Sequence, residues 1–155
     1  MAMKIIFMGT PYFAVPILKA IHESKHRILE VYTQPATKSG RGQKFNHSDI
    51  FNCAEQLNLK VRLPKKLGAN EEINHIKELK PDLVVVVAYG KILPTELLNL
   101  NNILFVNVHA SLLPKWRGAA PIQRAIMNMD SETGISIMKI VPQLDACLLY
   151  TSDAA

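Results

Sequence analysis

The stretch DLVVVVAYG, residues 82–90, decides the fold class, because it is apolar for most of its length and shows no alternation. A continuous apolar run of this kind is typical of a parallel β-strand that is covered on both faces. Comparable runs lie before and after it, at KIIFM (4–8), ILEVYT (28–33) and ILFVNVHA (103–110). Amphipathic segments separate these runs, so strands and helices alternate along the chain. The sequence therefore predicts an α/β fold with an open, mainly parallel sheet and helices on both faces.

Capping and periodicity signals place helices between these strands. The first helix follows GTPYF and ends near Glu23. Ser48 or Asn46 is expected to cap the second helix, and Asn70 is expected to cap the third. The remaining predicted elements are a helix at APIQRAIMNM (120–129) and strands at KVRLP (60–64) and GISIMKIV (134–141).

The composition is that of a folded domain. The 155-residue chain is 48% hydrophobic and 20% charged, which argues against disorder. Its longest apolar run is too short to cross a bilayer, so we expect no membrane association. With only Cys53 and Cys147, and no histidines at metal-ligand spacing, we expect neither a disulfide framework nor a metal site. These features lead us to expect a cytoplasmic protein with reduced thiols.

The charge distribution is uneven. The formal net charge is +5 at pH 7, and residues 33–66 contain only Asp49 and Glu55 as acidic residues. The basic residues of this stretch are Lys38, Arg41, Lys44, Lys60, Arg62, Lys65 and Lys66. A basic face can attract a polyanion. Charge alone nevertheless favours an ordinary solvated surface, because the pattern lacks interleaved aromatic residues.

Three unusual stretches, GTPYF, AYGKILP and NVHASLLP, fall at the ends of predicted strands, where open parallel sheets bind ligands. Asn107 and His109 are two residues apart and so face the same side of their strand. An imidazole can take a proton from an attacking amine, and an amide N–H can donate to a developing oxyanion. Asp145 ends the next predicted strand, where a carboxylate would orient the imidazole. The three residues suit acyl-type transfer. The alternatives are that Asn107 and His109 are structural hydrogen bonders, which is more common for such residues taken singly, and that Asp145 is a turn residue.

Other motifs narrow the classes of ligand and reaction that the sequence allows. GTPYF is not a dinucleotide-binding GxGxxG motif, and GKI (90–92) lacks the first glycine and the Ser/Thr of a P-loop. No serine lies in a nucleophile elbow, which argues against a covalent intermediate. Trp116 lies in a polar turn, where its indole either contacts a ligand or base or wedges the loop against the domain. The sequence leaves both roles of Trp116 open.

Four stretches carry a resemblance to a known family. They are MKIIFMGTPYFAVPIL (3–18), VYTQP with GRGQK (31–35 and 40–44), VVVVAYGKILP (84–94) and NVHASLLPKWRGAAPIQRAI (107–126). From about Lys4 to Ala146 the chain resembles the folate-dependent formyltransferases. The resemblance implies a Rossmann-like catalytic domain. It also implies transfer of a formyl group from 10-formyltetrahydrofolate to the α-amino group of methionine on initiator tRNA.

The resemblance also implies roles for individual residues. His109 would accept the amine proton, Asn107 would bind the formyl oxygen, and Asp145 would support the imidazolium. The folate would lie along four residues of one turn, Ser111, Leu112, Leu113 and Pro114. Its pterin would border a second loop, at Tyr89, Gly90, Ile92, Leu93 and Pro94. Arg41, with Lys38 and Lys44, would meet the tRNA acceptor stem, which gives the basic stretch a function.

The loop that begins at TQP separates this chain from its relatives. Glycinamide ribonucleotide formyltransferases share the HxSLLP core but lack this loop and the RGAAP ending, and sugar-nucleotide formyltransferases lack the loop. Here the loop has PATKSGRG where the family usually has an acidic-basic-proline run. A formyltransferase that acts on a small amine, and a non-catalytic fragment that binds folate or RNA weakly, are the alternatives.

The domain organisation also follows from the resemblance. We expect residues 1–146 to form a catalytic domain that is incomplete at its carboxy-terminal side. Residues 147–155, CLLYTSDAA, replace the Gly-Asp continuation and the carboxy-terminal β-barrel domain of the family, and we expect them to be a non-native tail. The expected state is a monomer.

Overall fold

The computed structural model describes residues 1–39, 44–142 and 149–151. The strands are β1 (Lys4–Gly9), β2 (Arg27–Tyr32), β3 (Thr37–Ser39), β4 (Lys44–Asn46), β5 (Val61–Arg62), β6 (Leu83–Val87), β7 (Leu104–His109), β8 (Ser136–Lys139) and β9 (Leu149–Thr151). The helices are α1 (Val15–Glu23), α2 (Asp49–Gln56), α3 (Asn70–Leu79), α4 (Thr95–Leu98) and α5 (Pro121–Met127), with a 3₁₀ turn at Tyr12–Ala14 before α1. None of the helices described is long and apolar enough to span a bilayer.

One sheet of seven strands organises the domain, in the order β5-β2-β1-β6-β7-β8-β9. The first five strands in this order are parallel, which confirms the predicted open, mainly parallel α/β sheet. The last two strands reverse direction, since β8 is antiparallel to β7 and β9 is antiparallel to β8. No feature of the sequence had pointed to a strand at β9.

Asp145 was expected close to His109 on the premise that the strand before it ends at the same edge of the sheet as β7. The antiparallel direction of β8 shows that this premise is wrong. Ser136 pairs with His109 and Lys139 pairs with Val106, so β8 begins beside His109 and runs away from it. The carboxyl end of β8 therefore lies at the opposite edge of the sheet from His109. Residue 145 itself lies outside the described ranges, and its role remains a prediction.

The run that decided the fold class forms the centre of the sheet. Val84–Val87 of β6 are at most 6% exposed and pair with β1 on one side and β7 on the other. Alternate residues of the central strands belong to two separate core clusters, one containing Phe7 and Leu18 and the other Met8 and Ile76. Helices therefore cover both faces of the sheet, as the apolar pattern predicted.

Two helix caps and one loop test the local predictions. The Ser48 hydroxyl accepts a hydrogen bond from the Phe51 N–H at 3.0 Å, which confirms it as the cap of α2. Asn70 does not cap α3, because it is already the first helical residue and Ala69 occupies the cap position. The predicted loop after β2 contains an antiparallel hairpin of β3 and β4, whose period-2 pattern is too short to read from sequence.

Candidate active site

A cavity of about 510 Å³ opens where the carboxyl ends of β1, β6 and β7 meet. Its walls come from these three strand ends and the start of α5: Pro11, Phe13, Ala88, Gly90, residues 107–110 and residues 118–123. Ligands of open parallel sheets bind at this edge. The placement agrees with the strand-end prediction made from the sequence.

A larger cavity, of about 630 Å³, lies at the opposite edge of the sheet. Lys4, Lys77, Lys80 and Asp82 are among its lining residues, and the Asp82 carboxylate accepts the backbone N–H of Lys4 at 2.7 Å. This cavity contains neither a histidine nor an arrangement of groups suited to proton transfer. Size alone therefore does not locate the chemistry, and the smaller cavity is the better candidate.

Asn107 and His109 share one face of β7, as their spacing predicted, and both line the smaller cavity. The strand ladder fixes their height in the sheet, because Asn107 pairs with Val86 and Met138 and His109 pairs with Ser136. Both are half-buried and flank the buried Val108. Within the part of the chain that the structure describes, the Asn107 amide makes no hydrogen bond, so its N–H₂ group is free for a ligand.

The imidazole of His109 has one ring nitrogen already engaged. Its Nε2 lies 3.1 Å from the backbone carbonyl oxygen of Trp116. A carbonyl oxygen only accepts, so this contact assigns the proton of the neutral ring to Nε2. The Nδ1 lone pair is then the basic site of the imidazole.

The turn after β7 is held by its own hydrogen bonds. Ser111 is fully buried, and its hydroxyl donates to the Lys115 carbonyl at 2.7 Å. The Ser136 hydroxyl donates to the Ser111 carbonyl at 2.7 Å and accepts from the Leu113 N–H at 3.0 Å. Both serine hydroxyls are thus occupied within the protein. Ser111 serves the shape of the turn in this structure.

The four predicted folate residues of this turn do not line the Asn107–His109 cavity, although the neighbouring Ala110 does. None of Ser111, Leu112, Leu113 and Pro114 is among its lining residues. Leu112 instead lines a separate cavity of about 500 Å³, together with Lys115, Trp116 and residues 128–133. The structure therefore groups this turn with the segment after α5, and its contact with folate stays a prediction.

The loop after β6 brings one of its five predicted residues to the cavity. Gly90 lines the wall, whereas Ile92 is 93% exposed and Leu93 and Pro94 are half-buried. The Tyr89 side chain is 1% exposed, and burial, with a smaller contribution from Glu72, raises the pKa of its phenol to about 12.

A backbone atom anchors this loop. The carbonyl oxygen of Tyr89 accepts the Thr10 hydroxyl at 2.8 Å and the Gln34 side-chain amide at 3.0 Å. Thr10 follows β1 and Gln34 follows β2, so the ends of two neighbouring strands fix the position of the loop. The sequence contains no motif for this arrangement, because its three residues are far apart in the chain.

The basic stretch is only partly available for a polyanion. Arg62 binds Glu72 through two nitrogens, at 2.8 and 3.1 Å, and this pairing raises the pKa of Arg62. Lys38 and Lys44 lie in β3 and β4, and Arg41 lies outside the described residues. The positions of Lys38 and Lys44 in a hairpin are compatible with the predicted tRNA contact but do not test it.

A carboxylate that the sequence did not reveal orders the Trp116 region. The Trp116 indole N–H donates to Asp130 at 2.6 Å, and the Lys115 ammonium and the Asn128 amide donate to the same carboxylate at 2.9 and 2.6 Å. Hydrogen bonds from Lys115, Asn128 and Trp116 hold the pKa of Asp130 at about 2. Of the two roles left open for Trp116, this contact supports the wedge.

The fold and the site together define an α/β protein of Rossmann-like architecture, with an amide and an imidazole side by side at the carboxyl edge of its sheet. Among the residues that the structure describes, no three His, Cys, Asp or Glu side chains are grouped so as to hold a metal ion. The Asn107 amide can donate a hydrogen bond and the His109 imidazole can transfer a proton.

Comparison with known proteins gives the family. The profile of the family described as Formyl transferase matches residues 3–154. The chain therefore belongs to the formyl transferase family. The methionyl-tRNA formyltransferase of Pelagibacter ubique (strain HTCC1062) is 60% identical over 146 residues, which cover 94% of this chain and 47% of that protein. The protein of the same name from Sulfurihydrogenibium sp. (strain YO3AOP1) is 52% identical over 149 residues, or 96% of this chain and 48% of that protein.

The chain thus spans about half the length of these curated relatives. Solved structures agree on the fold. A phosphoribosylglycinamide formyltransferase from Campylobacter jejuni subsp. jejuni NCTC 11168 superposes with a TM-score of 0.73 at 20% identity, over 100% of this chain and 83% of that one. A formyltetrahydrofolate deformylase from Pseudomonas syringae pv. tomato str. DC3000 gives the same TM-score and identity, over 100% of this chain and 51% of that one.

Proposed function

We propose that this chain carries the reaction centre for formyl transfer from 10-formyltetrahydrofolate to the α-amino group of methionyl initiator tRNA. The observation that carries the proposal is the pairing of Asn107 and His109 on one face of β7, inside a cavity of about 510 Å³. The high identity to two proteins named methionyl-tRNA formyltransferase supports the choice of acceptor.

The chemistry follows from the two side chains. The methionyl amine attacks the formyl carbon of 10-formyltetrahydrofolate to give a tetrahedral intermediate. Collapse of this intermediate breaks the bond between that carbon and N10 of the folate, and N10 takes up a proton as tetrahydrofolate leaves. Nδ1 of His109 accepts the proton that the amine loses, because Nε2 is already donating to Trp116. The Asn107 amide, which has no protein partner in the described structure, donates to the formyl oxygen as negative charge develops on it.

A third group would complete this arrangement. A carboxylate near the imidazole stabilises the imidazolium that forms after proton transfer. The family resemblance assigns this role to Asp145, and we retain it as part of the proposal. Because β8 is antiparallel to β7, this role of Asp145 rests on the family resemblance and not on the end of a parallel strand.

The substrates would approach from two sides. Gly90 and the loop around it form the wall that we assign to the pterin, with Tyr89, Ile92, Leu93 and Pro94 in the same loop. Ser111, Leu112, Leu113 and Pro114 would support the remainder of the folate through the position of their turn. Arg41, Lys38 and Lys44 would contact tRNA phosphates, so the affinity for tRNA should fall steeply with salt concentration. A monomer working in the cytoplasm is part of the same proposal.

The test is single-turnover formylation of methionyl initiator tRNA with 10-formyltetrahydrofolate. The assay uses this chain alone and also joined to the carboxy-terminal half of the Pelagibacter ubique relative. Asn107→Ala should slow the chemical step roughly 10²–10³-fold, as expected for loss of an oxyanion donor. The exposed Asn52→Ala in α2 is the matched control and should leave the rate unchanged.

Two results would contradict the proposal. One is a joined protein that fails to formylate while the intact relative succeeds under the same conditions. The other is transfer to a free small amine at the rate found with the tRNA, which would favour a small-amine acceptor instead.

A further inference from the structure

We propose that Asp130 is a positioning residue, which holds the Trp116 carbonyl against Nε2 of His109 and thereby keeps Nδ1 of His109 free to accept a proton. The inference rests on the proposed role of His109 and deepens it. Asp130 lies in the segment between α5 and β8, 21 residues from His109 in the chain, and it makes no direct hydrogen bond to the imidazole.

Two hydrogen bonds made by Trp116 connect Asp130 to His109. Asp130 accepts the Trp116 indole N–H at 2.6 Å, and the backbone carbonyl of the same tryptophan accepts the His109 ring N–H at 3.1 Å. The indole is therefore fixed at one end of residue 116 and the imidazole is bound at the other. Because the indole and the carbonyl are joined through one Cα, the contact with Asp130 restricts the backbone conformations in which the carbonyl can lie.

The backbone conformation of Trp116 depends on contacts that hold it in place. Its φ is 57°, in the left-handed region that non-glycine residues occupy only when their surroundings hold them there. Without the indole contact, residue 116 is free to return to an ordinary backbone conformation. Its carbonyl would then turn away from His109.

The Asp130 carboxylate stays charged over the pH range in which an imidazole titrates. The Asp130 side chain is only 5% exposed, and its second oxygen is bound by Lys115 at 2.9 Å and Asn128 at 2.6 Å. These donors stabilise the carboxylate and hold the pKa of Asp130 at about 2. Lys115 also accepts the buried Ser111 hydroxyl through its carbonyl, so the ion pair is tied to the turn after β7.

The signature of this arrangement is the ring N–H of His109 itself. Imidazole N–H protons exchange rapidly with water unless a hydrogen bond protects them. In ¹H–¹⁵N spectra of this chain, we expect a resonance from Nε2–H of His109 and nitrogen shifts characteristic of the Nε2–H tautomer. His109→Ala identifies the signal by its absence.

Three variants test the connection. Asp130→Ala and Trp116→Phe should both abolish the His109 Nε2–H resonance while the amide signals of β1 and β6 keep their positions. Asp130→Asn retains an oxygen that accepts from the indole, and it should restore the resonance. Glu132→Ala is the matched control, because this exposed carboxylate lies two residues away and lines the same cavity as Trp116.

In the formylation assay, Asp130→Ala should lower the single-turnover rate about tenfold to a hundredfold, with the KM for folate unchanged. A His109 ring N–H that persists in both Asp130→Ala and Trp116→Phe would overturn the inference, as would an Nδ1–H tautomer in the unaltered chain. If Asp130→Ala fails to fold, Trp116→Phe decides the question alone. The NMR result is independent of catalysis, so failure of the proposed function leaves this test intact.

Discussion

Two loops border the candidate active site, and the protein holds them in different ways. The loop after β6 is fixed through one backbone atom, the Tyr89 carbonyl, by side chains from the ends of β1 and β2. The turn after β7 is fixed by side chains of its own and of the segment before β8, through Ser111, Ser136 and Asp130. The first loop is therefore an extension of the sheet, and the second depends on local polar contacts.

The difference has a functional meaning. A wall that is fixed by the parallel strands stays in place as long as the core is intact, and under the proposed function this wall presents a constant shape to the pterin ring. The turn after β7 supplies the Trp116 carbonyl that binds His109, so under the proposed function its polar contacts act on the proton acceptor. We therefore expect variants of the first loop to affect stability and ligand affinity, and variants of the second to affect the chemical step.

The largest effect on stability is expected at Gly90. Its φ is 83°, and an added Cβ would collide with Nε2 of Gln34. Gly90→Ala should therefore lower the free energy of unfolding by about 2–3 kcal/mol, because backbone strain adds to the loss of the Gln34–Tyr89 hydrogen bond as the flexible Gln34 side chain moves aside. Gly118 has a φ of 93° with open space around it, so Gly118→Ala should cost only about 1 kcal/mol. Urea unfolding measures both, and equal losses would contradict the contrast.

The next effect is expected at Ser136, on the side of the second loop. Ser136 is fully buried, and Ser136→Ala removes its hydrogen bonds to the Ser111 carbonyl and the Leu113 N–H. Leaving these groups unpaired should cost about 1–3 kcal/mol in urea unfolding. The exposed Ser131→Ala is the control and should change stability by less than about 0.5 kcal/mol.

A smaller loss is expected for Gln34→Ala. The Tyr89 carbonyl keeps its hydrogen bond from Thr10, so the variant should lose only about 0.5–1.5 kcal/mol. The same substitution removes the atom that a Cβ at residue 90 would meet. In the double variant with Gly90→Ala, we expect the two losses to sum to less than additivity predicts. Strict additivity would show that Gln34 is not the obstacle at Gly90.

The smallest effects on stability are expected from changes in pH. The turn after β7 should lose stability at acid pH, and the loop after β6 should lose stability at alkaline pH. The pKa of Asp130 is lowered to about 2, so its contribution to stability is present above about pH 4 and is lost as the pH falls toward 2. The pKa of Tyr89 is raised to about 12, so its contribution is present below about pH 10 and is lost as the pH rises toward 12.

Thermal unfolding across pH tests this contrast. Asp130→Asn should weaken the dependence of Tm on pH at the acid end and leave it unchanged at the alkaline end. Tyr89→Phe should weaken the pH dependence at the alkaline end only, and part of it should remain because burial also raises the pKa of Tyr32. A variant that changed the pH dependence at both ends would show that the two loops are energetically coupled rather than separately held.

The sequence predicted the parts of this molecule that depend on local pattern. The continuous apolar run of β6 predicted a buried parallel strand, and the two-residue spacing of Asn107 and His109 predicted their common face. The direction of β8 was not predictable in this way, because a short apolar strand has the same pattern in either direction. That reversal undid the strand-end reasoning about Asp145.

The contacts around Trp116 illustrate a second limit. Asp130 follows a helix in a polar segment, where a carboxylate ordinarily indicates a solvated turn. Its partners lie 2, 14 and 15 residues away and share no periodicity. Gln34, Thr10 and Tyr89 are brought together only by the order of the strands. Such contacts follow from the tertiary fold and leave no recognisable spacing in the sequence.

The most direct test of the proposed reaction centre is the rate of formyl transfer after replacement of His109. In single-turnover assays with methionyl initiator tRNA, His109→Ala in the joined protein should slow the chemical step roughly 10²–10⁴-fold. The affinity for tRNA should stay unchanged, and the exposed His22→Ala at the end of α1 should retain the full rate. A His109→Ala protein that formylates at the unaltered rate would contradict the assignment of this imidazole as the proton acceptor.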